Sequence, residues 1–280
     1  MGAPLLMADN IGSVTLYPRA QVSDQSGTSG LVGYEAWRPF RGSRNVFAYW
    51  QPGTTNAEAW LQIQHEQPRA VNFWALSYGH NLAGVAVKIQ GSNDASTWAT
   101  VVSVTIPTTT GGLLNSGVGV LTEMGDWLIT HQTLAYHYWR FDIPAMGAGL
   151  QPLIPCLQPG FSYQPLALYR PFMEHRTRLQ SQMVTTPLGW VGRGTRGLNR
   201  SGMLNLRVDQ TDAEYLQARL VIEEQFGSGR PMWVIQDQDR AQEALCVIRP
   251  DGEQGFERGT QIFWPTASIQ VLEHEPLGLT

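Results

Sequence analysis

The sequence predicts a mainly-β chain in two parts, a β-sandwich followed by a smaller α+β domain with one helix packed on an antiparallel sheet. Three observations predict it. Charged residues are only 15% of the 280, while 29 Gly and 17 Pro supply many turns, which favours short strands over long helices. Up to about residue 145, apolar and polar residues alternate with period two in one segment after another. Beyond it a single helix-period segment stands among further strand-like runs.

The strands follow in order. In WLQIQHE (60–66), Leu61 and Ile63 point one way, and Gln62 and Gln64 the other. Val71, Phe73 and Ala75 share a face in AVNFWALS (70–77). Val85, Val87 and Ile89 share one in GVAVKIQ (84–90), and Trp139, Phe141 and Ile143 one in YHYWRFDI (136–143). One wet face per strand is the signature of antiparallel sheets in a sandwich or barrel. Turn-rich pieces separate them, namely SDQSGTSG (23–30), QPGTTN (51–56) and the longer loop TTTGGLLNSG (108–117). In KIQGSNDASTW (88–98) the strand stops at Gly91 and Ser92-Asn93-Asp94 form a turn. Trp98 begins the return strand and is expected to fold back onto the sandwich core.

From Ala145 the chain turns Pro- and Gly-rich without a period, so 1–145 reads as the sandwich, 146–182 as an extended connector and 183–280 as the α+β domain. In the last part GMLNLRVD (202–209) is a strand. TDAEYLQARLVIEEQFGSG (211–229) is the helix, opened by a Thr211/Glu214 capping box and stopped by Gly227 or Gly229. PMWVIQD (231–237), ALCVIRP (244–250) and ASIQVLEHE (267–275) read as strands.

Composition excludes several functions. The net charge of −4, with Lys88 the only lysine, gives no electrostatic case for nucleic acid or an anionic membrane. The start MGAPLLMADNIGS lacks the basic and apolar regions of a signal peptide, and Leu6 breaks a myristoylation motif. No run approaches the roughly 20 apolar residues of a membrane span, so no membrane insertion is expected. Cys156 and Cys246 read as two reduced, buried thiols.

No assembled catalytic site is legible. His65, His80, His131, His137, His175 and His274 do not cluster at metal-ligand spacing, and HEQPR (65–69) lacks the second His of a zinc helix. There is no G-x-S-x-G elbow. GWVGRGTRG (189–197) lacks the G-K-[ST] ending of a phosphate loop and reads as a turn-rich basic loop. DQDRAQE (237–243) lacks the Gly and terminal Glu of a calcium loop and reads as a polar hairpin turn. The chain is therefore expected to be no enzyme and to need no cofactor or metal.

YEAWRPFRGSRNVFAYW (34–50), WLQIQ (60–64), VKIQGSNDASTW (87–98) and YWRFDI (138–143) together resemble the discoidin, or coagulation-factor type C, module of the galactose-binding-like fold, over roughly residues 10–145. The resemblance implies a jelly-roll-like sandwich of about eight strands with ligands on loops at one end. It departs from the family at Arg41-Gly42 and Ala48, where members often carry the acidic residues of a calcium loop; a hard cation wants carboxylate oxygens. The loops offer Trp37, Arg38, Arg41, Arg44, Tyr78, His80 and Asn81. An aromatic face with Arg, His and Asn donors suits a pyranose, and equally a protein–protein contact.

GRGTRGLNRSG (192–202) as a basic hairpin, the helix start TDAEYLQ and the strand GSGRPMWVIQD (227–237) resemble a domain of tail proteins in tailed bacteriophages and gene-transfer particles, over roughly 160–275. This implies a distal-tail or tail-tip part of the virion, folded in the host cytoplasm. It implies a trimeric or hexameric ring that meets tail tube, tail hub and tape-measure proteins and contacts host-surface glycan. The alternative is a non-catalytic carbohydrate-binding adhesion protein.

Overall fold

The computed structural model describes residues 5–8, 21–24, 34–41, 47–53, 57–147, 149–164, 167–168, 176–185, 191–207, 231–248 and 266–273. Among these the chain is mainly β. The strands are β1 Leu5–Ala8, β2 Gln21–Asp24, β3 Ala59–Leu76, β4 Ala86–Ser92, β5 Ala99–Thr105, β6 Gly111–Leu113, β7 Gly119–Leu121 and β8 Trp127–Ile143. They continue as β9 Leu157–Tyr163, β10 Ala167–Leu168, β11 Arg176–Thr185, β12 Val191–Arg207, β13 Met232–Ile235, β14 Leu245–Ile248 and β15 Thr266–Glu273. The helix expected at 211–229 lies outside the described residues.

The sandwich is built on two long antiparallel strands, β3 and β8. The segments WLQIQHE and AVNFWALS, read separately in the sequence, are one strand, and the register against β8 shifts between Gln64 and Arg69. That irregularity divides the pair between two sheets. The first half of β3 pairs with β2 on one side and with Tyr138–Ile143 of β8 on the other, and β4 and β5 extend the sheet. The second half pairs with β9 and with the early part of β8, which β7 and β6 extend. Bulges bend strands in this way, so one strand can serve two sheets.

Between the sheets lies an apolar core that includes Leu61, Ile63, Trp74, Val87, Ile89, Trp127, Trp139 and Phe141. Aromatic rings pack across it, with Trp74 and Phe141 centred 6.0 Å apart and Tyr136 edge-on to Trp139 at 5.2 Å. A second core lies on the other side of the second sheet. Phe73, Ala75, Val120 and Leu128 meet Leu5, Met7, Trp233, Ile235 and Cys246 there. The second sheet is thus covered on both faces.

The strand β1, from the start of the chain, pairs with β13 and with β9. It joins the sandwich strands to the run β13-β14-β15-β12-β10. The stretch 146–182, read as an extended connector, carries β9, β10 and the start of β11. Residues 192–202, read as a hairpin, lie within the single strand β12, whose hairpin partner is β11. DQDRAQE is a turn of 3-10 type joining β13 to β14, as a hairpin reading requires. Both cysteines are buried and neither is in a disulfide.

Candidate ligand-binding site

The candidate residues singled out in the sequence lie in 34–50 and in SYGHN (77–81), and one segment, 151–156, bonds to both regions. Trp50 and Ile154 form a β-bridge, with Trp50 N–H donating to the Ile154 carbonyl at 2.9 Å and the reverse bond at 3.1 Å. Gln151 Nε2 donates to the Pro52 carbonyl at 3.1 Å, and the Gln51 amide donates to Gln151 Oε1. On the other loop, Asn81 Nδ2 donates to the Gln151 carbonyl at 2.8 Å, and Asn81 Oδ1 accepts from Leu153 N–H at 2.8 Å. Ser77 N–H donates to the Cys156 carbonyl at 3.0 Å. Trp50, Gln51, Pro52, Ser77 and Asn81 are thus held before any ligand arrives, which lowers the ordering entropy of binding beside them.

In the first loop, Arg38–Arg41 form one 3-10 turn whose Pro39 and Phe40 are buried. Trp37 is half-buried, and the Arg41 guanidinium lies 3.8 Å from its ring centre. Arg38 lies 5.5 Å from the same ring and is tied to Glu35 by an ion pair of 2.6 Å. Tyr34 and Tyr49 stack at 4.9 Å, and the Tyr49 hydroxyl's hydrogen bond to Tyr34 holds the Tyr49 phenol above its usual range. Phe47 is 74% exposed in the same loop. Arg44 lies outside the described residues.

In the second loop the polar groups are engaged by the scaffold. Asn81 makes the bonds given above. His80 Nδ1 accepts from Leu82 N–H at 3.1 Å, and its ring also bonds the Gly125 backbone. Burial lowers its pKa to about 4, against the weaker opposing pull of Asp126 and Gly125. Asp126, itself buried, accepts from Tyr78 N–H at 2.8 Å and from the Trp233 indole at 3.2 Å. Glu123 N–H donates to the Gln242 carbonyl at 2.9 Å nearby. Tyr78 and His80 therefore stand at the joint between the sandwich and the β13–β14 hairpin. The structure gathers Trp37, Arg38 and Arg41 on one loop and sets Tyr78, His80 and Asn81 to bracing its neighbour.

Among the described residues, no group of three His, Cys, Asp or Glu side chains is placed to hold a metal ion.

Trp98 departs from expectation. It is not in the core but on the outer face of the first sheet, where the Arg140 guanidinium lies 3.8 Å from its ring and 4.5 Å from that of Trp60. The reason is the turn before it. Asp94 Oδ1 accepts from Ser96 N–H at 2.9 Å and Thr97 N–H at 2.8 Å, and Ser92 Oγ accepts from Ala95 N–H at 3.0 Å. These bonds from Thr97 and Ser96 hold the Asp94 carboxylate well below its usual pKa range. The Trp98 indole donates to the Ala95 carbonyl at 3.2 Å, which fixes it outward. Residue alternation could have located this group, because Trp60 shares a parity with Gln62, and Arg140 with Asp142, on the wet side of their strands.

No family model matches the chain, and no curated protein matches it. Solved structures similar to it include carbohydrate-binding modules. One is chitosan-binding module 1 from a chitosanase/glucanase of Paenibacillus sp. IK-5, at 20% identity over 55% of this chain and 99% of that one, with a TM-score of 0.39. A second is CBM32-5 of Clostridium perfringens, in complex with GalNAc-β-1,3-galactose, at 10% identity, 51% and 96% coverage, and a TM-score of 0.38. A third is a GH29 fucosidase of Ruminococcus gnavus, at 13% identity over 54% of this chain but 27% of that one, with a TM-score of 0.39. At such identities and scores these likenesses do not bear on what this chain binds.

Proposed function

We propose that this chain is a non-catalytic carbohydrate-binding protein whose sugar site is the loop 34–50. One observation carries the reading. Trp37 is half-buried with Arg41 over its ring at 3.8 Å, and the stretch that follows, with Phe47 74% exposed, is pinned through Trp50 and Gln51. Flat apolar faces take the C–H side of a pyranose, and a fixed guanidinium donates to its hydroxyls. In this reading Arg38 orients the loop through Glu35, and Tyr78, His80 and Asn81 hold the neighbouring loop in place.

The test is a glycan array followed by calorimetry on the best sugar, with Trp37→Ala and Arg41→Ala. At least a tenfold loss of affinity in each variant, with an unchanged melting temperature, is the expected result. Unchanged affinity in both folded variants overturns the site.

A second reading is a tail-tip structural part that self-associates in a ring and meets tail tube, hub and tape-measure proteins in the virion. What favours it is the exposure of Leu113 and Val118, at 57% and 45%, on the stretch 111–121, where a neighbouring subunit would cover them. Native mass spectrometry decides it: a closed trimer or hexamer supports the ring, and a monomer at micromolar concentration overturns self-assembly.

A further inference from the structure

We infer that the outer face of the first sheet is a second binding surface, for an extended neutral oligosaccharide lying across β3, β8, β4 and β5. The ligand class rests on the carbohydrate reading above; the place does not, because none of its residues belongs to the loop 34–50.

The face is laid out by register. Trp60 is opposite Asp142, which is opposite Lys88; Gln62 is opposite Arg140, which is opposite Gln90. All six project away from the core that holds Leu61, Phe141 and Ile89. Trp98, arriving from the turn before β5, closes the row over Arg140. The four strands span about 14 Å at a strand spacing of about 4.8 Å, a length that suits several sugar rings rather than one.

Three observations point to a ligand. The first is a pair of orphaned polar atoms. Asp142 is 4% exposed, yet its Oδ1 has no hydrogen-bond partner, and Arg140 Nε, two residues away on the same face, has none either. An unmade bond at a buried polar atom is unfavourable, so such atoms call for an account. One is an acceptor and the other a donor, and a hydroxyl-rich ligand both donates and accepts.

The second is charge balance. Arg140 and Lys88 stand close to Asp142 and Glu58, with Lys88 Nζ 3.9 Å from Asp142 Oδ2. No net charge is left to select an anion, which disfavours phosphate and nucleic acid and leaves a neutral ligand.

The third is the strain that sets Trp98 in place. Ala95 has φ 60, the left-handed region, and is the only described non-Gly residue with positive φ. A non-Gly residue there is unfavourable and persists where the surroundings over-determine it. What this one holds is a large aromatic out of the core, flat against a guanidinium. The Trp98 and Trp60 rings then form two aromatic rails, with the amides of Gln62 and Gln90 beside them as further donors and acceptors. Arg140 Nη2 already donates to Gln62 Oε1 at 3.1 Å, which fixes the order of the row.

The experiment uses the full chain, labelled with ¹⁵N at the tryptophan indoles, titrated with cellohexaose, chitohexaose and mannohexaose. At least one hexasaccharide is expected to shift the Trp60 and Trp98 indole signals, and Trp98→Ala to weaken its binding at least tenfold while Trp98→Phe retains most of it. Trp37→Ala should leave those shifts in place. Shifts confined to Trp37 overturn the sheet-face site and leave the loop site standing. Shifts at Trp60 and Trp98 that survive Trp37→Ala, without any at Trp37, support the sheet face and count against the loop. No shift at Trp60 or Trp98 with any of the three overturns the inference. If Trp98→Ala fails to fold, Gln90→Ala, on the exposed side of β4, serves as the second variant, and an unchanged affinity in it overturns the inference as well.

Discussion

The two halves of β3 obey different rules although they are one strand. In 59–64 burial alternates strictly, with Ala59, Leu61 and Ile63 in the core and Trp60, Gln62 and Gln64 part-exposed. In 71–76 all but Asn72 are buried. The first half has a core on one side and solvent on the other. The second has the sandwich core on one side and β1, β13 and the 238–243 turn on the other. A strand's pattern therefore reports how many layers cover it, and FWAL (73–76) reads as continuously apolar because two layers do.

The sharpest way to break this comparison is to truncate one residue in each half. Phe73→Ala and Trp74→Ala open cavities on opposite faces of the doubly covered half, and each is expected to destabilise by about 3–5 kcal/mol. Gln62→Ala, on the wet face of the other half, is expected to stay within about 0.5 kcal/mol. Urea denaturation of the three variants measures the difference. A Phe73→Ala loss as small as that of Gln62→Ala would mean that the second layer is not packed on this sheet.

Acid separates the same two regions by sign. His80 braces the joint with the second layer and titrates near 4 instead of 6.5 because burial disfavours its charged form; His65, at the bend of β3, behaves alike. As pH falls below 6.5 the unfolded chain takes up these protons first, so stability is lost between about 6.5 and 4. The loss is on the order of 3 kcal/mol per histidine when complete. Asp142, on the solvent side of the first sheet, is raised from 3.8 to about 6 by burial and by Glu58. Below 6 the folded state takes up its proton first, so Asp142 adds stability between about 6 and 3.8. Denaturation midpoints from pH 7.5 to 4 should fall for the wild type and fall less steeply for His80→Asn. Asp142→Asn should raise the midpoint at pH 7.5 and lose that gain near pH 4.

Much of this was legible before any coordinates. The alternation in 60–66, 84–90 and 136–143 gives the inward face of the first sheet residue by residue, because one wet face leaves a clean period of two. The turn at Ser92-Asn93-Asp94 was legible from side chains short enough to bond their own backbone. What was not legible depends on partners distant in sequence. Nothing local in LLMA reveals that Leu5–Ala8 pairs with Met232–Ile235. His80 and Asn81 look like ligand donors in isolation, and only their bonds to Leu82, Gly125, Gln151 and Leu153 show them bracing the scaffold. As the start of the return strand Trp98 reads as a core residue, while three turn bonds and one indole bond direct it outward.

Gly91 tests the inner side of that turn. A Cβ there would lie 2.0 Å from the Tyr136 ring, which packs edge-on against Trp139. The ring is held by its neighbours, so the overlap is not relieved by one rotation. Gly91→Ala is expected to destabilise by about 1–3 kcal/mol, and Gly91→Ala with Tyr136→Ala by less than the sum of the two single variants, as urea denaturation of the set would show.

Ala95 tests the outer side with the smallest expected effect. Its φ of 60 is one that glycine adopts without penalty, so Ala95→Gly removes strain while freeing the unfolded chain. The two terms nearly oppose, and a net gain of about 0.5–1 kcal/mol is expected because the left-handed penalty for a side chain is about 1–2 kcal/mol. The informative readout is at Trp98. If the strained residue serves to hold the ring over Arg140, Ala95→Gly should broaden or shift the Trp98 indole signal while raising stability. A more stable protein with an unmoved indole would show that the Asp94 and Ser92 bonds alone set the ring, and that Ala95 adds nothing to its position.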